Sequence, residues 1–380
     1  MKILGIVAEY NPFHKGHLYH LEQAKSIVQP DLTIVVMSGA FVQRGEPAII
    51  NKTIRSQIAV EQGVDIVIEL PFVYTVQSAD YFAYASLYLL NELGVTDLVF
   101  GSEDGQVSEL ITIAKAISDN QVDYDGLVKE AMDQGLRYPD ACNQALKIIT
   151  HKEVRTPNDI LGLCYVKEIV SHGYNIIPHA IKRIGDYHDN TITTLASASA
   201  LRQALYEHQD VSDQLPGYHH YNDQPLYRLD DFYELLRYNI LFNDHLEDIH
   251  LVDEGLDDLL RKVVIHTASM EELINALTSR RYTRSRIQRM FIHILMNNTK
   301  TAIKQAMTLD YIRLLGLSIK GQAAIKTLKK QTSLPIITKI SDYSSNTLNY
   351  EIKAAQLLSL VNRDALEQEI RCIPYRQIKK

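Results

Sequence analysis

The sequence predicts an α/β protein with a doubly wound parallel sheet, followed by a smaller, mainly α-helical C-terminal domain. Short apolar runs at 3–7, 34–37, 66–68 and 98–100 are separated by segments whose apolar residues recur at helical spacing. Short continuous runs between helices are typical of parallel strands buried on both faces. After residue 205 the chain becomes acidic and turn-rich, and then mainly helical. We therefore predict two domains, 1–205 and 206–380.

The composition is that of a globular chain long enough for these two domains. Of its 380 residues 46% are hydrophobic and 22% are charged. It contains no run of about 18 apolar residues and no signal-peptide pattern at its start, so we expect no membrane association. Its three cysteines are widely spaced and odd in number, which favours reduced thiols over a disulfide framework or a zinc site. We expect a cytoplasmic protein.

The first strand is followed by a turn and a helix. The strand covers 3–7, Asn11 and Pro12 predict the turn, and apolar residues at helical spacing from Leu18 to Val28 predict the helix. His17 then lies in the first helical turn. Backbone N–H groups at such a terminus lack intrahelical acceptors, and the helix dipole is positive there, so the terminus attracts anions.

The junction carries the sequence His14, Lys15, Gly16, His17. Gly16 allows a phosphate to approach the backbone closely. The two histidines could donate hydrogen bonds to the charge that develops on a nucleotide α-phosphate while pyrophosphate leaves. The alternative is that both are polar residues of a surface turn.

This motif resembles that of the HxGH superfamily of nucleotidyltransferases and class I aminoacyl-tRNA synthetases, whose Rossmann-like domain binds ATP at the first strand-helix junction. Members of the adenylyltransferase type carry a later turn rich in Ser or Thr that ends in a basic residue, and 197–202 is similar to it. Hydroxyl groups of Ser197 and Ser199 and the guanidinium of Arg202 suit the β- and γ-phosphates. The alternative for this stretch is an ordinary N-capped helix.

A longer set of segments resembles the bacterial tRNA(Met) cytidine acetate ligases. The segments are 8–17, 37–39, 43–48, 68–71, 100–103, 156–162 and 181–183. The resemblance implies that acetate attacks ATP to give acetyl-adenylate and pyrophosphate. The N4 amine of the wobble cytidine of elongator tRNA(Met) then takes the acetyl group, giving N4-acetylcytidine at position 34. ATP and acetate are co-substrates, and acetyl-CoA is not needed.

The resemblance also implies the site residues, with His14 and His17 as the catalytic pair. Gly101, Asn158 and Arg183 are implied nucleotide contacts, although Asn158 would serve equally as a helix N-cap and Arg183 could be a solvated side chain. The full implied ATP site consists of Val7, Ala8, Glu9, Tyr10, Asn11, Pro12, Phe13, His14, Lys15, Gly16, His17, Leu18, Tyr19, His20, Gly101, Asn158, Arg183, Ser197, Ser199 and Arg202.

Acetate and metal contacts are less defined. Arg44 and Lys52 are candidates for acetate on charge alone, and a loop salt bridge from Arg44 to Glu46 is the alternative for the first. Glu9 could orient a donor, bind a metal-bridged phosphate or simply end a strand. Mg²⁺ is expected with ATP because it neutralises phosphate charge. No motif identifies a dedicated metal site.

A basic segment in the second half is the candidate tRNA-binding surface. Five arginines lie within ten positions although the net charge of the chain is -7. Local positive charge decides where a polyanion binds, and Tyr282 could stack on a base. The alternative is a solvated basic face paired with acidic residues. The candidate residues are Arg280, Arg281, Arg284, Arg286 and Arg289.

Two other functions fit the same motifs. A small-metabolite nucleotidyltransferase would transfer an adenylyl or cytidylyl group and turn over without RNA. A noncatalytic RNA-binding module would retain only the nucleotide pocket, so that His17→Ala would leave its effect untouched.

Overall fold

A computed structural model describes residues 1–183 and 196–379. The strands are β1 (Ile3–Ala8), β2 (Leu32–Ser38), β3 (Phe41–Val42), β4 (Glu46–Pro47), β5 (Ile66–Leu70), β6 (Asp97–Ser102), β7 (Ile177–Lys182), β8 (Ile312–Leu317), β9 (Ile336–Ile337) and β10 (Tyr375–Arg376).

Helices connect and cover these strands. The α-helices are α1 (Lys15–Val28), α2 (Lys52–Glu61), α3 (Phe72–Thr75), α4 (Ala79–Glu92), α5 (Val107–Asp119), α6 (Gln121–Asp133), α7 (Tyr138–Thr150), α8 (Pro157–His172), α9 (Ala198–Tyr206), α10 (Tyr233–Phe242), α11 (Leu256–Val264), α12 (Met270–Leu277), α13 (Arg284–Leu295), α14 (Lys300–Ala306), α15 (Ile319–Gln331), α16 (Asn346–Ser359) and α17 (Ala365–Ile370). Four short 3₁₀ helices lie among the described residues at Tyr218–Tyr221, Leu229–Phe232, Leu246–Asp248 and Ile340–Asp342. None of the helices described is both long and apolar enough to cross a bilayer.

The central sheet has the order β10-β8-β5-β2-β1-β6-β7, with β9 beside β8. From β1 the chain proceeds outward through β2 to β5, and then returns to place β6 and β7 on the other side of β1. These pairs are parallel, with Ile3 opposite Leu32 and Leu4 opposite Asp97. Because the strand order reverses between β1 and β6, a crevice opens there at their carboxyl ends.

Each strand sends alternate side chains to opposite faces of the sheet, and both faces are buried. Ile34 and Val36 of β2 pack into one core with helices such as α4 and α8, whereas Val35 and Met37 pack into another with α1, α2 and α9. All residues of β2 and β5 are buried. The predicted α/β fold with a doubly wound sheet is therefore confirmed.

The second half of the chain is mainly helical, as predicted, but it also contributes to the sheet. Strand β8 pairs antiparallel with β5, and β10 pairs parallel with β8. Strand β8 was not predicted, because an apolar segment such as Ile312–Leu317 also suits a buried helix. The division at residue 205 stays a prediction.

Two local features bear on how the sheet is bordered. Strand β7 covers Ile177–Lys182, so Ile181 and Lys182 belong to the strand and Arg183 follows its carboxyl end. Gly321 lies inside α15, where a Cβ atom would come within 2.1 Å of the Asp65 carbonyl oxygen. This glycine permits α15 to pack closely against the sheet.

A buried ion cluster joins the C-terminal helices to the sheet. Lys52 Nζ lies 2.5 Å from Glu69 and 2.8 Å from Glu369, and Arg313 Nη1 lies 3.0 Å from Glu69 and 2.5 Å from Glu369. Glu351 is the fifth member, with an oxygen 3.7 Å from Lys52 Nζ. These side chains are at most 6% exposed. The cluster thus contains three carboxyl groups and two cations.

Candidate active site

A cavity of about 440 Å³ lies at the carboxyl ends of β1, β6 and β7, where the strand order reverses. Four residues of the predicted ATP site, Pro12, Phe13, Lys15 and Leu18, do not line it. The predicted residues that do line it are Val7, Ala8, Glu9, Tyr10, Asn11, His14, Gly16, His17, Tyr19, His20, Gly101, Asn158, Arg183, Ser197, Ser199 and Arg202.

The loop between β1 and α1 holds the two motif histidines in a defined geometry. His14 is the N-cap of α1, and its Nδ1 accepts a hydrogen bond from the Gly16 N–H at 3.0 Å. Nδ1 of His17 accepts from the His14 N–H at 3.3 Å, and the two ring centroids are 3.9 Å apart. Because each Nδ1 is an acceptor, the proton of each neutral ring lies on Nε2. Each ring can therefore serve as a hydrogen-bond donor.

Three histidines along one side of α1 are kept neutral by their surroundings. Burial, together with the nearby Arg183 and Arg202, lowers the pKa of His14 to about 4. Burial and Arg183 lower the pKa of His20 to about 4. Burial and the neighbouring histidines lower the pKa of His17 well below its usual value, although a hydrogen bond with the Pro12 backbone opposes this. His20 Nε2 is buried without a partner among the described residues.

The residues that precede α1 are fixed by contacts from distant segments. Tyr10 has a φ of 48°, an unusual value for a side chain of this size, and is buried. The Asn11 side chain accepts a hydrogen bond from the Ile49 N–H at 2.7 Å. Arg55, fully buried on α2, donates to the Glu9 carbonyl at 2.7 Å and to the Ser38 carbonyl at 3.0 Å. Sequence reasoning did not identify Arg55, whose hydrogen bonds connect the ends of β1 and β2.

The opposite wall is formed by the end of β6 and the start of α8. Asn158 is not an N-cap, because Thr156 holds that position. Instead the Asn158 side chain donates to Glu103 at 2.7 Å and accepts from Arg183 at 3.4 Å. A Cβ atom on Gly101 would lie 3.6 Å from the Arg183 side chain. Gly101, Asn158 and Arg183, predicted as nucleotide contacts, are thus brought together.

The turn at 197–202 closes the cavity beside the histidines. Ser197 is the N-cap of α9 and accepts from the Ala200 N–H at 3.2 Å, as the alternative interpretation of this turn predicted. Arg202 donates to the Asn11 carbonyl at 2.9 Å and pairs with Glu46 at 3.3 Å. The turn therefore lines the cavity and also caps a helix.

Sequence reasoning missed an apolar wall. Phe82, Phe100, Leu161 and Tyr165 line the cavity on the side of α4 and α8. The Phe100 and Tyr165 ring centroids are 5.8 Å apart. An apolar, aromatic surface of this kind suits a purine ring. Nothing in the local pattern separates these residues from ordinary core residues.

The two acetate candidates lie in different places. Arg44 lines the cavity. Lys52 does not, because it belongs to the buried ion cluster, where it contacts Glu69 and Glu369. Glu46 pairs with Arg202. Burial raises the pKa of Glu9, which lines the cavity and accepts from the Gln43 N–H at 2.9 Å.

Most arginines of the segment around α13 are paired with acidic side chains or a backbone carbonyl of the protein, and so do not form a free basic surface. Arg281 pairs with Glu254 at 2.6 Å, Arg284 pairs with Glu271 at 2.5 Å, and Arg286 lies 3.4 Å from Asp253. Arg289 donates to the Gln43 carbonyl at 3.2 Å. Arg280 is exposed.

Tyr282 is 9% exposed and lies beneath the Arg286 guanidinium, which is 4.6 Å from its ring centroid. Its hydroxyl group donates to Glu254 at 2.8 Å. The structure thus places Tyr282 where it packs against the protein, and not where it could stack on a base as the sequence suggested.

Residues 1–371 match the HIGH Nucleotidyl Transferase family. A tRNA(Met) cytidine acetate ligase of Geobacillus sp. (strain WCH70) is 38% identical over 373 residues, which is 93% of each chain. One of Bacillus subtilis (strain 168) is 36% identical over 392 residues, covering 97% of this chain and 94% of the relative. The similarity therefore extends well beyond residue 205.

The fold also matches a solved structure. The crystal structure of Thermotoga maritima TmcAL bound with alpha-thio ATP superposes with a TM-score of 0.89 at 32% sequence identity, and covers 99% of this chain and 100% of that one. The apo form of the same protein gives the same values.

Proposed function

The chain belongs to the HIGH nucleotidyl transferases and, within them, to the tRNA(Met) cytidine acetate ligases, and from this premise we propose that it uses ATP to acetylate the wobble cytidine of elongator tRNA(Met). Acetate attacks the α-phosphorus of ATP, which gives acetyl-adenylate and releases pyrophosphate. The cytidine N4 amine then attacks the acetyl carbonyl carbon, and AMP leaves. The reaction is placed in the cytoplasm, where tRNA is modified.

The observation that carries the proposal is the set of neutral histidines at the N-terminus of α1, facing a cavity large enough for a nucleotide. Neutral imidazoles donate hydrogen bonds to phosphate oxygens and do not need to lose a proton first. We assign His14 and His17 to the α-phosphate, where charge builds up as pyrophosphate leaves. The orphaned Nε2 of His20 supports a third contact, because a buried polar atom without a partner costs free energy until a ligand pairs with it.

The positions of the adenine and of the other two phosphates are assigned from the residues that form the walls of the cavity. We place the adenine against Phe100, Leu161 and Tyr165, and the β- and γ-phosphates at the N-terminus of α9 with Ser199 and Arg202. Unpaired N–H groups and a guanidinium both favour phosphate oxygens. Thermotoga maritima TmcAL, whose fold this chain shares, was crystallised with alpha-thio ATP, and this supports ATP as the nucleotide.

Acetate and Mg²⁺ are assigned by charge. Arg44 lines the cavity and would offset the repulsion between acetate and the phosphates. Among the described residues that line the cavity Glu9 is the one with a carboxyl group, and one carboxylate together with phosphate oxygens fits a Mg²⁺ that enters with ATP. The ion would neutralise phosphate charge.

The arginines around α13 are proposed as the tRNA-facing surface. Arg280, Arg281 and Arg284 are exposed, and Arg281 and Arg284 can exchange their acidic partners for RNA phosphates. Arg289 is better assigned to holding the 43–45 loop, which borders the ATP cavity.

The experiment that tests the proposal is acetate-dependent ATP–pyrophosphate exchange by the purified protein, measured with and without tRNA. Exchange that requires acetate supports adenylate formation, and nucleoside analysis of tRNA(Met) then tests the acetyl transfer. Absence of exchange under both conditions refutes the formation of free acetyl-adenylate. Turnover with a small phosphate ester and no RNA would favour a metabolite nucleotidyltransferase instead.

A further inference from the structure

We propose that a second cavity, beside the ATP cavity, binds the cytosine base that accepts the acetyl group, and that the Glu46 carboxylate accepts a hydrogen bond from its N4 amine. This inference rests on the proposed function, because it names the acceptor subsite of that reaction. The cavity has a volume of about 170 Å³.

The position of the second cavity suits an acceptor. It shares Ser199 and Arg202 with the ATP cavity, so the two spaces meet at the start of α9. Arg202 also donates to the Asn11 carbonyl in the loop before α1. The second cavity therefore adjoins the phosphate end of the nucleotide site and not the apolar wall. Pyrophosphate leaves this end before the transfer step, so a base in the second cavity can then approach the acetyl-adenylate.

The charges that line the second cavity suit a neutral ligand with both donors and acceptors. A phosphate group would require an excess of positive charge, whereas the lining is balanced. A nucleobase has donors and acceptors on one edge and no net charge. The charged lining residues are Arg202, Arg228, Arg284, Glu46, Asp230 and Glu271.

Glu46 presents a fixed carboxylate to this space. One oxygen accepts from the Gln288 amide at 2.9 Å, and the other accepts from Arg202 at 3.3 Å. Each carboxylate oxygen has two lone pairs, so each retains the capacity for one further bond. The side chain of Glu46 is 25% exposed. Two partners therefore orient the carboxylate while leaving it accessible.

The pairing between a carboxylate and its neighbouring donors matches the edge of cytosine. Cytosine places an N4–H₂ donor next to the N3 acceptor, and a carboxylate accepts well from N4. The N–H groups of Gln288 or Arg202 beside Glu46 can then donate to N3. Uracil presents an oxygen where cytosine has its amine, and this oxygen would face the carboxylate. The subsite thus discriminates between the two pyrimidines.

The transfer step balances with Glu46 in this place. The cytosine N4 forms a bond with the acetyl carbonyl carbon, and the bond between that carbon and the AMP phosphate oxygen breaks. AMP leaves with the electron pair of the broken bond. The proton that N4 loses passes to the Glu46 carboxylate and from there to solvent.

The subsite is continuous with the basic segment. Arg284 lines the second cavity and is also the first residue of α13, where the proposed tRNA surface lies. A base inserted into the cavity would therefore leave its flanking phosphates near exposed arginines. One RNA strand could thus place a base in the second cavity and its phosphates on the arginine segment at the same time.

Glu46→Gln tests the inference, because the amide keeps the shape of the side chain and loses its charge. The kcat for tRNA acetylation should fall about 100-fold relative to the rate of acetate-dependent pyrophosphate exchange, with the KM for tRNA changed much less. An anticodon stem-loop with cytosine at the acceptor position should bind wild type about tenfold more tightly than its uracil counterpart. This preference should disappear in Glu46→Gln.

Gln203 offers an independent pair of variants. Its exposed side chain lines the second cavity and not the first. Gln203→Trp should fill the cavity and lower acetylation far more than exchange, whereas the matched control Gln203→Ala should keep the wild-type ratio of the two rates.

Three results would overturn the inference. They are wild-type acetylation by Glu46→Gln, an equal loss of exchange and acetylation in that variant, and unchanged acetylation by Gln203→Trp. Failure of the proposed function is distinct from all three, since the wild-type protein itself would then show no acetate-dependent exchange.

Discussion

Glu351→Gln should make the protein more stable, although it replaces an ionisable side chain of the buried ion cluster by a neutral one. Burial and the neighbouring Glu69 raise the pKa of Glu351 well above its usual value, whereas Lys52 and Arg313 lower the pKa of Glu69. Both carboxyl groups are buried beside Lys52 Nζ, and two neighbouring carboxyl groups that are shielded from water do not both ionise readily, so one of them keeps a proton. We assign that proton to Glu351. With Glu351 neutral, the two remaining carboxylates balance the two cations.

The magnitude follows from proton linkage. A carboxyl group whose pKa is raised by folding contributes its full stability below its unfolded pKa of about 4.3, and this contribution is lost as the pH rises toward the folded pKa. The loss is about 1.4 kcal/mol per pH unit. Glutamine has no such proton, and its amide can still donate to Glu69 and accept from the Phe72 N–H, which lies 2.6 Å from Glu351. The advantage of Glu351→Gln should therefore grow as the pH rises from the unfolded toward the folded pKa of Glu351, by at most about 1.4 kcal/mol per unit.

Urea unfolding followed by circular dichroism at pH 5, 6, 7 and 8 measures this difference. Glu369→Gln is the matched control, because Glu369 contacts both Lys52 and Arg313 and its charge is needed there. That variant should lose about 3 kcal/mol or more. A difference between Glu351→Gln and wild type that does not change with pH, or a clear loss of stability at pH 7, would refute the assignment of the proton.

Three further substitutions test the site. His14→Asn keeps a side chain that can cap α1 but lacks the Nε2 donor, so pyrophosphate exchange should fall about 100-fold while the thermal unfolding temperature changes little. Exchange at the wild-type rate would exclude a contact between His14 and the α-phosphate. His20→Phe removes a buried unpaired nitrogen, so the free energy of unfolding should be unchanged or higher while the KM for ATP rises about tenfold. A wild-type KM in steady-state kinetics would contradict a contact between His20 and ATP. Gly45→Ala should cost about 2 kcal/mol or more in urea unfolding, because φ is +80° and the new Cβ atom would lie 2.3 Å from the Arg289 backbone nitrogen; wild-type stability would show that α13 can move away.

Sequence patterns predicted the structure best where all the residues that form the pattern lie in one short segment. Strands β1, β2, β5 and β6, the helix after β1 and the place of His17 in its first turn all follow from apolar periodicity and turn residues that lie within a few positions of each other. The motif residues at 14–17 and 197–202 could be placed at helix starts for the same reason. Strand β7 carries only a weak apolar signal, because one of its six residues is fully buried.

Local sequence patterns were enough to predict the fold class, the family and the strand-helix junction where the nucleotide site lies, because each depends on residues that are neighbours in the chain. Three other features became evident only in the folded protein: Arg55 holds the ends of two strands, Arg202 and Gln288 orient Glu46, and β8 completes the sheet. These pairings join residues from 17 to more than 200 positions apart. An arginine or a glutamate has the same local pattern whether it is solvated or buried, so its partner is fixed only when the chain has folded.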